Sequence, residues 1–156
     1  MTQQLTAYYE SPIGFLRLTA SEEGVSRIEF TDLTSAPHSN VPPCLRACFQ
    51  QLDDYFKHKR TSFHLKLNPV GTKFQEAVWR ELATIPYGKT TSYLALAKSL
   101  GNEKAIRAVG AANGRNPIPI VIPCHRVIGS DGSLIGFGGG IWRKEFLLKH
   151  ENVFLL

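Results

Sequence analysis

The sequence has no long apolar run and few cysteines. No apolar segment approaches the roughly 18 to 20 residues that a membrane-spanning helix needs, so we expect no transmembrane helix. The N-terminal residues lack a basic region followed by an apolar stretch and a small-residue cleavage site, so no secretory signal is predicted. Three cysteines cannot all pair within one chain, and intracellular proteins rarely form disulfides. We therefore expect a cytoplasmic protein with at least one free thiol and no membrane partner.

Negative charge is scarce in one segment of an otherwise neutral chain. The formal net charge is +5. Residues 89–126 contain six basic residues and one acidic residue, so this segment alone accounts for the whole excess. Such a distribution is typical of a protein that binds a polyanion through the positive segment. A solvated surface gives the same pattern, so charge alone leaves both interpretations open.

Residues 1–70 are predicted to form a subdomain with an antiparallel sheet and one helix. Turn signals at residues 11–14 and 21–24 separate stretches in which apolar and polar residues alternate, as half-buried strands require. After Pro42-Pro43, apolar residues recur at helical spacing, at Leu45, Cys48, Phe49, Leu52 and Phe56. Alternation at residues 62–67 predicts one more strand. Asn68-Pro69 and Gly71 break the pattern and place the subdomain boundary there.

Residues 71–156 are predicted to form a helical subdomain. Thr72 and Gln75 have the spacing of a capping box, and Phe74, Val78 and Leu82 then recur every four residues. Pro86-Tyr87-Gly88 is expected to end this helix. A second helix at about residues 92–99 is followed by a glycine turn and then by Asn102, a good N-cap for a third helix reaching about residue 113. This outline is a helix-turn-helix.

The third helix has two contrasting faces. Ile106, Val109 and Asn113 are predicted to face inward, whereas the outer face is small and basic, with Lys104, Arg107, Ala108 and Ala111. A helix that reads bases in the major groove usually carries several polar side chains that reach base edges. This outer face instead suits close approach to a narrow groove. A helix that packs against another protein fits the spacing equally well.

An apolar, proline-rich segment, residues 116–123, ends at a Cys-His pair. Its prolines lack backbone donors, so we predict a buried extended segment that is not a central strand. A thiol attacks as the thiolate, and imidazole or cationic groups favour that form. His125 and Arg126 offer both groups next to Cys124. A small buried cysteine beside a surface histidine is the alternative interpretation.

The sequence Pro123-Cys124-His125-Arg126-Val127 resembles the acceptor motif of the O6-alkylguanine-DNA alkyltransferases, and the resemblance extends from about residue 71 to residue 151. Matching features include Thr91-Ser92-Tyr93, Arg107-Ala108-Val109-Gly110, Asn116-Pro117 with Pro119, Gly138-Gly139-Gly140, and Leu147-Leu148-Lys149-His150-Glu151. The resemblance implies an α+β fold. Its N-terminal antiparallel sheet with a helix would be ribonuclease-H-like, and its C-terminal helical, helix-turn-helix subdomain would be winged-helix-like.

The resemblance also implies an activity and a partner. The protein would bind the minor groove of double-stranded DNA and rotate the damaged nucleotide out of the stack. It would then move an alkyl group from O6-alkylguanine, and from O4-alkylthymine, to Cys124. By the same match Arg107 fills the space that the base leaves, Tyr93 crowds the adjoining phosphate, and Ala108 and Ala111 allow close docking. Each molecule, a monomer in solution, would react once and need no cofactor.

The family match assigns the remaining site residues. His125 is expected to act as a base through water and Glu151 to orient its imidazole. Asn116 would brace the turn near the active site. The backbone of Cys124, Val127 and Gly138, with the Tyr93 hydroxyl, would hydrogen-bond the guanine edge.

Two departures from the family bear on the pocket. Phe137 stands where some relatives carry Tyr, and Gly138 where some carry Ser, which leaves pocket size and the range of alkyl groups open. Some relatives hold a structural zinc near the N-terminus, but no Cys or His precedes His38, so we predict no metal. Cys44 and Cys48 do not change this expectation, because Cys48 belongs to the apolar helical stripe and zinc-binding cysteines more often lie two residues apart in a turn.

Two rival functions are weighed against this interpretation. Alkyltransferase-like proteins resemble the family but replace the acceptor cysteine, often by tryptophan, and only bind and flag lesions. The presence of Cys124 argues against that function. A transcription regulator would carry base-reading side chains on its recognition helix and a dimerisation surface, and the sequence indicates neither.

Overall fold

The computed structural model describes residues 3–36 and 40–153, so His38 lies outside the described residues. The chain forms two compact units, Met1–Val70 and Gly71–Leu156. Each has its own buried apolar residues. An antiparallel sheet in the first unit and helices in the second confirm the α+β class. Among the described residues, no helix is long and apolar enough to cross a bilayer.

The first unit is a three-stranded antiparallel meander with one helix. The strands are β1 (Leu5–Ser11), β2 (Gly14–Ser21) and β3 (Gly24–Phe30), in the order β1-β2-β3. Both predicted turns are confirmed. Helix α1 (Pro43–Phe56) contacts all three strands. It buries one stripe of side chains, namely Leu45, Cys48, Leu52, Tyr55 and Phe56.

The prediction of a further strand at residues 62–67 is wrong. Side-chain burial does alternate there, but the segment pairs with β3 only at Leu67, which bridges Val25. The side chain of Gln51 in α1 instead satisfies the backbone of His64, accepting from its N–H at 2.9 Å and donating to its carbonyl at 3.1 Å. Alternation therefore predicted burial correctly, but the backbone of His64 is paired with a helix side chain and not with a strand.

The second unit begins with α2 (Lys73–Leu82), and both hydrogen bonds of the predicted capping box are present. Leu82 and Val78 are buried, but Phe74 is 39% exposed, so its predicted place in the buried stripe is wrong. Trp79 completes that stripe and donates its indole N–H to the Ala112 carbonyl at 2.9 Å. The helix ends at Leu82, four residues before Pro86. The next three amides, those of residues 83–85, donate to the carbonyls of Trp79, Glu81 and Leu82.

Helix α3 (Tyr93–Ser99) and helix α4 (Ile106–Gly114) pack against each other. Ser92 caps α3, because its side chain accepts from Ala95 N. Asn102 does not cap α4 directly: its side chain accepts from Lys104 N at 3.2 Å and starts a single 3-10 turn, Glu103–Ala105, that precedes the helix. Ile106 is 40% exposed, so its predicted inward orientation is wrong, whereas Val109 and Asn113 are buried.

The proline-rich segment before Cys124 is buried but is not extended. Pro119 and Ile122 bridge each other across a tight turn in which Ile120 has a φ of +74°. A β-branched residue in the left-handed region costs on the order of 1–3 kcal/mol, and such strain persists where the surroundings enforce it. Here the proline rings and a bracing asparagine, described below, hold the turn.

Short elements then complete the second unit. A 3-10 turn (Cys124–Arg126) leads into β5 (Val127–Ile128), which pairs in parallel with β4 (Thr91–Ser92) immediately before α3. Helix α5 (Ile141–His150) ends the described structure. The β4-β5 pairing holds the start of α3 beside the segment that follows Cys124.

Candidate active site

Cys124 is the first residue of its 3-10 turn and is 4% exposed. Asn116 braces the preceding turn, because its side chain donates to the Ile122 carbonyl at 2.7 Å and accepts from Ile118 N at 3.0 Å. Asn113, a buried residue of α4, donates to the Cys124 carbonyl at 3.3 Å. The cysteine is therefore held from both sides by asparagine side chains.

Burial raises the pKa of Cys124 to about 11. A hydrogen bond from Asn116 and the positive charge of Lys144 act in the opposite direction. At neutral pH the resting group is thus a thiol, and its use as a nucleophile requires a proton acceptor.

His125 and Glu151 form a buried pair next to this thiol. His125 Nε2 lies 2.7 Å from Glu151 Oε2, and both side chains are fully buried. An ionised carboxylate only accepts hydrogen bonds, so the Nε2 atom carries the proton in this contact. The other ring nitrogen, His125 Nδ1, is buried without a hydrogen-bond partner among the described residues. A neutral imidazole in this orientation offers a proton acceptor.

Two pKa shifts describe this pair. Burial lowers the pKa of His125, Glu151 raises it, and the charges of Arg126 and Lys144 lower it again, with a net decrease. Burial raises the pKa of Glu151, but hydrogen bonds from His125 and Arg126 outweigh it and hold the pKa well below its usual range. At neutral pH the pair is a neutral imidazole beside a carboxylate.

Arg126 does not take the role beside Cys124 that the sequence suggested. Its Nε and one terminal nitrogen donate to the two oxygens of Glu151, at 2.8 and 3.0 Å. The other terminal nitrogen donates to the Ile85 carbonyl at 2.6 Å. The guanidinium therefore pairs with Glu151, and its charge is not one of the causes that shift the pKa of Cys124.

Lys144 is the cation that acts on Cys124, and sequence reasoning missed it. The side chain is 0% exposed, and its ammonium donates to the carbonyls of Val127 at 2.5 Å and Ile135 at 2.9 Å. Burial lowers its pKa to about 8, against the attraction of the Cys124 thiolate. A signal was present: Lys144 shares one face of α5 with Leu147 and Leu148, at positions i, i+3 and i+4, and Glu151 follows at i+7, just after the helix.

Tyr93 connects α3 to the loop between β5 and α5. Its hydroxyl donates to the Ile135 carbonyl at 2.8 Å and lies 3.5 Å from the Lys144 ammonium. Burial raises the pKa of Tyr93, and the charge of Cys124 adds to this effect, against a hydrogen bond from Asn113. Gly136 adopts a φ of +71°, and a Cβ there would come within 3.1 Å of the Tyr93 hydroxyl.

An apolar cavity of about 210 Å³ opens beside this tyrosine, lined by Tyr93, Ile106, Gly110, Ile135 and Gly136. The exposed residues of α4 next to it include Arg107, Ala108 and Ala111. Gly138 lies in the loop between β5 and α5, where an added Cβ would come within 3.4 Å of the Gly114 carbonyl. The loop backbone therefore lies close to the end of α4.

The structure thus brings together six of the residues singled out from the sequence, namely Tyr93, Asn116, Cys124, His125, Val127 and Glu151. Arg107, Ala108 and Ala111 lie on the exposed side of α4 instead. Within residues 3–36 and 40–153, no three His, Cys, Asp or Glu side chains lie close enough to hold a metal ion.

Comparison with known proteins gives matches over both units. Residues 5–69 match the ribonuclease-like domain of 6-O-methylguanine DNA methyltransferase, and residues 73–153 match the DNA-binding domain of the same protein. A methylated-DNA–protein-cysteine methyltransferase of Methanosarcina barkeri is 48% identical over 150 residues, which cover 92% of this chain and 94% of that protein. One from Mycolicibacterium paratuberculosis is 44% identical, over 92% of this chain and 89% of that protein.

Solved structures give the same result. The O6-methylguanine methyltransferase of Mycobacterium tuberculosis superposes with a TM-score of 0.85 and 42% identity, over 96% of this chain and 93% of that one. A crystal structure of the M. tuberculosis protein in complex with DNA superposes with a TM-score of 0.84 and 45% identity, over 92% of this chain and 90% of that one.

Proposed function

This chain belongs to the family of 6-O-methylguanine DNA methyltransferases, so it repairs DNA by transferring an alkyl group to one of its own cysteines, and we propose that the acceptor is Cys124. One observation carries this choice. Among the described residues, Cys124 alone of the three cysteines adjoins a buried His-Glu pair. Cys48 lies in the core stripe of α1, where burial raises its pKa to about 12, and Cys44 precedes it on the same helix.

The transfer is a displacement at the alkyl carbon. The Cys124 thiol loses its proton to His125 Nδ1 through a water molecule, and Glu151 stabilises the imidazolium that forms. The sulfur attacks the alkyl carbon as the bond from that carbon to guanine O6 breaks. The electron pair of the broken bond stays with guanine, which takes up the proton that the thiol released. The products are an S-alkylcysteine and neutral guanine.

The protonation states of the site suit this sequence of steps. His125 has a lowered pKa and is neutral at pH 7, so it can accept a proton. Lys144 favours the thiolate as it forms, because its positive charge lowers the pKa of Cys124. Water has no easy way to break the C–S bond of the product. Each molecule therefore reacts once.

The substrate of this reaction is double-stranded DNA that contains O6-alkylguanine, and O4-alkylthymine is a second substrate. The reacting carbon lies inside the duplex, so the nucleotide must rotate out before sulfur can reach it. The backbone of Val127 and Gly138 and the hydroxyl of Tyr93 bind the rotated base.

Helix α4 enters the minor groove. Its exposed Ala108 and Ala111 are small enough for the helix backbone to approach the DNA closely, and Arg107 fills the space that the rotated base leaves. Binding relies on phosphate contacts and groove shape, so any sequence can be searched. The protein acts as a monomer, without a cofactor.

The decisive experiment is intact-protein mass spectrometry after incubation with a short duplex that contains O6-methylguanine. The wild type should gain the mass of one methyl group, located on Cys124 by peptide mapping. Cys124→Ser should gain none, and Cys48→Ser should gain it as the wild type does. A methyl group on Cys44 or Cys48 would overturn the assignment, and lesion binding without any mass change would favour a protein that only flags damage.

A further inference from the structure

The Glu151 carboxylate accepts four hydrogen bonds, and Arg126 donates two of them. One oxygen of the carboxylate accepts from Arg126 Nε and from Gly88 N, at 2.8 and 3.2 Å. The other accepts from Arg126 and from His125 Nε2, at 3.0 and 2.7 Å. Four donors match the roughly four lone-pair sites that a carboxylate offers. The carboxylate is therefore fixed in both position and orientation.

Arg126 is itself held firmly. It is 6% exposed, donates to the Ile85 carbonyl, and has its guanidinium 5.8 Å from the ring centroid of Tyr87. A planar, two-pronged contact of this kind is specific to arginine. The positive charge of Arg126 is thus paired with the negative charge of Glu151 at a fixed position.

We propose that Arg126 is a positioning residue that keeps His125 neutral in the resting protein, by pairing with the charge of Glu151 and fixing the carboxylate against Nε2. This inference rests on the proposed function, in which His125 Nδ1 accepts the proton of Cys124. A histidine that is already protonated cannot accept it. The role of Arg126 is thus exerted through Glu151 and not on the alkyl group.

The charges around His125 explain why such a residue is needed. A buried histidine beside an unpaired carboxylate gains a proton readily, because the two opposite charges attract. The positive charge of Arg126 offsets part of this attraction. The other charged group that acts on the imidazole is Lys144, from α5. Cys124, the neighbour of His125 in the chain, is a neutral thiol at rest. Protonating His125 from solvent would therefore add a positive charge to a site that already holds Lys144.

Proton transfer from Cys124 to His125 adds no net charge to the buried site. It creates a thiolate and an imidazolium together, so the net charge of the buried site stays constant. The arrangement therefore opposes proton uptake from solvent and permits transfer within the site. The pKa shifts have the matching signs, since burial lowers the pKa of His125 and the charges of Arg126 and Lys144 lower it further, against the effect of Glu151.

The test is the pKa of His125, measured by imidazole ¹⁵N NMR between pH 4 and 9 with the resonance assigned by its loss in His125→Asn. In the wild type, His125 should be neutral at pH 7, with the proton on Nε2. Arg126→Gln should raise this pKa by about one unit or more, a tenfold change in proton affinity. Arg126→Lys keeps the charge and should stay closer to the wild type. Arg80→Met, which removes an exposed arginine of α2, should change nothing.

Alkyl-transfer rates over the same pH range provide the functional readout. The acid limb of the profile should move to higher pH in Arg126→Gln, by the same amount as the pKa, and Arg126→Lys should restore it. A purely structural role would lower the rate equally at every pH and would overturn the inference. So would a wild-type His125 that is protonated at pH 7.

The outcomes separate this inference from the function on which it rests. If His125→Asn transfers the alkyl group at the wild-type rate, His125 is not the base and both proposals fail. If His125→Asn transfers the alkyl group slowly but Arg126→Gln leaves the pKa of His125 unchanged, only the proposed role of Arg126 fails.

Discussion

His125 Nε2 lies 2.7 Å from Glu151 Oε2, and this contact joins the turn that carries Cys124 to the residue that follows α5. The two residues are separated by 26 positions in the sequence and are both fully buried. The end of α5 is therefore part of the site, and changes at Glu151 should alter stability and chemistry together.

We predict that Glu151→Gln destabilises the protein by about 3–5 kcal/mol at pH 7, because it leaves the buried charge of Arg126 without a partner. Urea unfolding measures this change. The matched control is Glu145→Gln, which breaks an exposed ion pair with Lys149 on the same helix and should cost less than about 0.5 kcal/mol. Equal losses in the two variants would contradict the buried ion pair.

Glu151 also makes the stability of the protein depend on pH. The folded pKa of Glu151 lies well below its usual range, so its stabilisation is complete above the unfolded value of about 4.3 and is lost as the pH falls through the folded pKa. Below about pH 4, the wild type should therefore lose the advantage that it holds over Glu151→Gln at neutral pH. A difference that stays constant down to pH 2 would contradict this linkage.

We predict that Lys144→Met slows the alkylation of Cys124 at pH 7 by about tenfold, because it removes the positive charge that favours the thiolate. The pKa of Lys144 is about 8, so its side chain carries this charge at pH 7. The measurement is the rate of alkylation by iodoacetamide at pH 7, in a Cys44→Ser background so that Cys124 is the main reactive thiol. Lys149→Met, on the exposed side of the same helix, is the control and should leave the rate unchanged. An unchanged rate in Lys144→Met would show that its charge does not reach the sulfur.

Arg107→Ala should slow repair of a duplex lesion by about tenfold or more, equivalent to ~1.4 kcal/mol of transition-state stabilisation. The rate at which this variant reacts with free O6-benzylguanine should be close to the wild-type rate, because no base has to be displaced from a DNA helix. Single-turnover rates on both substrates provide the comparison. An equal loss of rate on the two substrates would show that Arg107 does not fill the space that the rotated base leaves.

Thr72→Ala should cost about 1 kcal/mol of stability, because it removes the hydroxyl that accepts from Gln75 N at 3.1 Å in the capping box. The readout is thermal unfolding of the whole chain. Thr61→Ala, an exposed threonine outside any helix, should stay within about 0.5 kcal/mol of the wild type.

The main elements could be predicted because their signals are local. The capping box at Thr72 and the apolar stripe of α1 depend on residues within a few helical turns. The strand predicted at residues 62–67 failed for the opposite reason, because the backbone partner of His64 is a side chain on α1.

The residues of the site divide in the same way. Cys124 and His125 are adjacent in a recognisable motif, and family resemblance supplied Glu151. Arg126 could not be placed from the sequence, since a charged side chain next to a cysteine in the chain gives no information on which way it points. Lys144 shares the buried face of α5 with Leu147 and Leu148, but that pattern does not identify the group on which its charge acts. Their roles became clear only from the carboxylate and carbonyl oxygens that each one contacts.

The hydrogen bond from Trp79 to the Ala112 carbonyl also makes this chain suited to fluorescence measurements. The emission of a tryptophan depends on its hydrogen bonding and exposure to water, and this indole reports directly on the backbone of α4. The chain has one other tryptophan, Trp142, which is 55% exposed and lies beside Arg143. In Trp142→Phe, the remaining signal would follow any displacement of α4 in real time, without an attached dye.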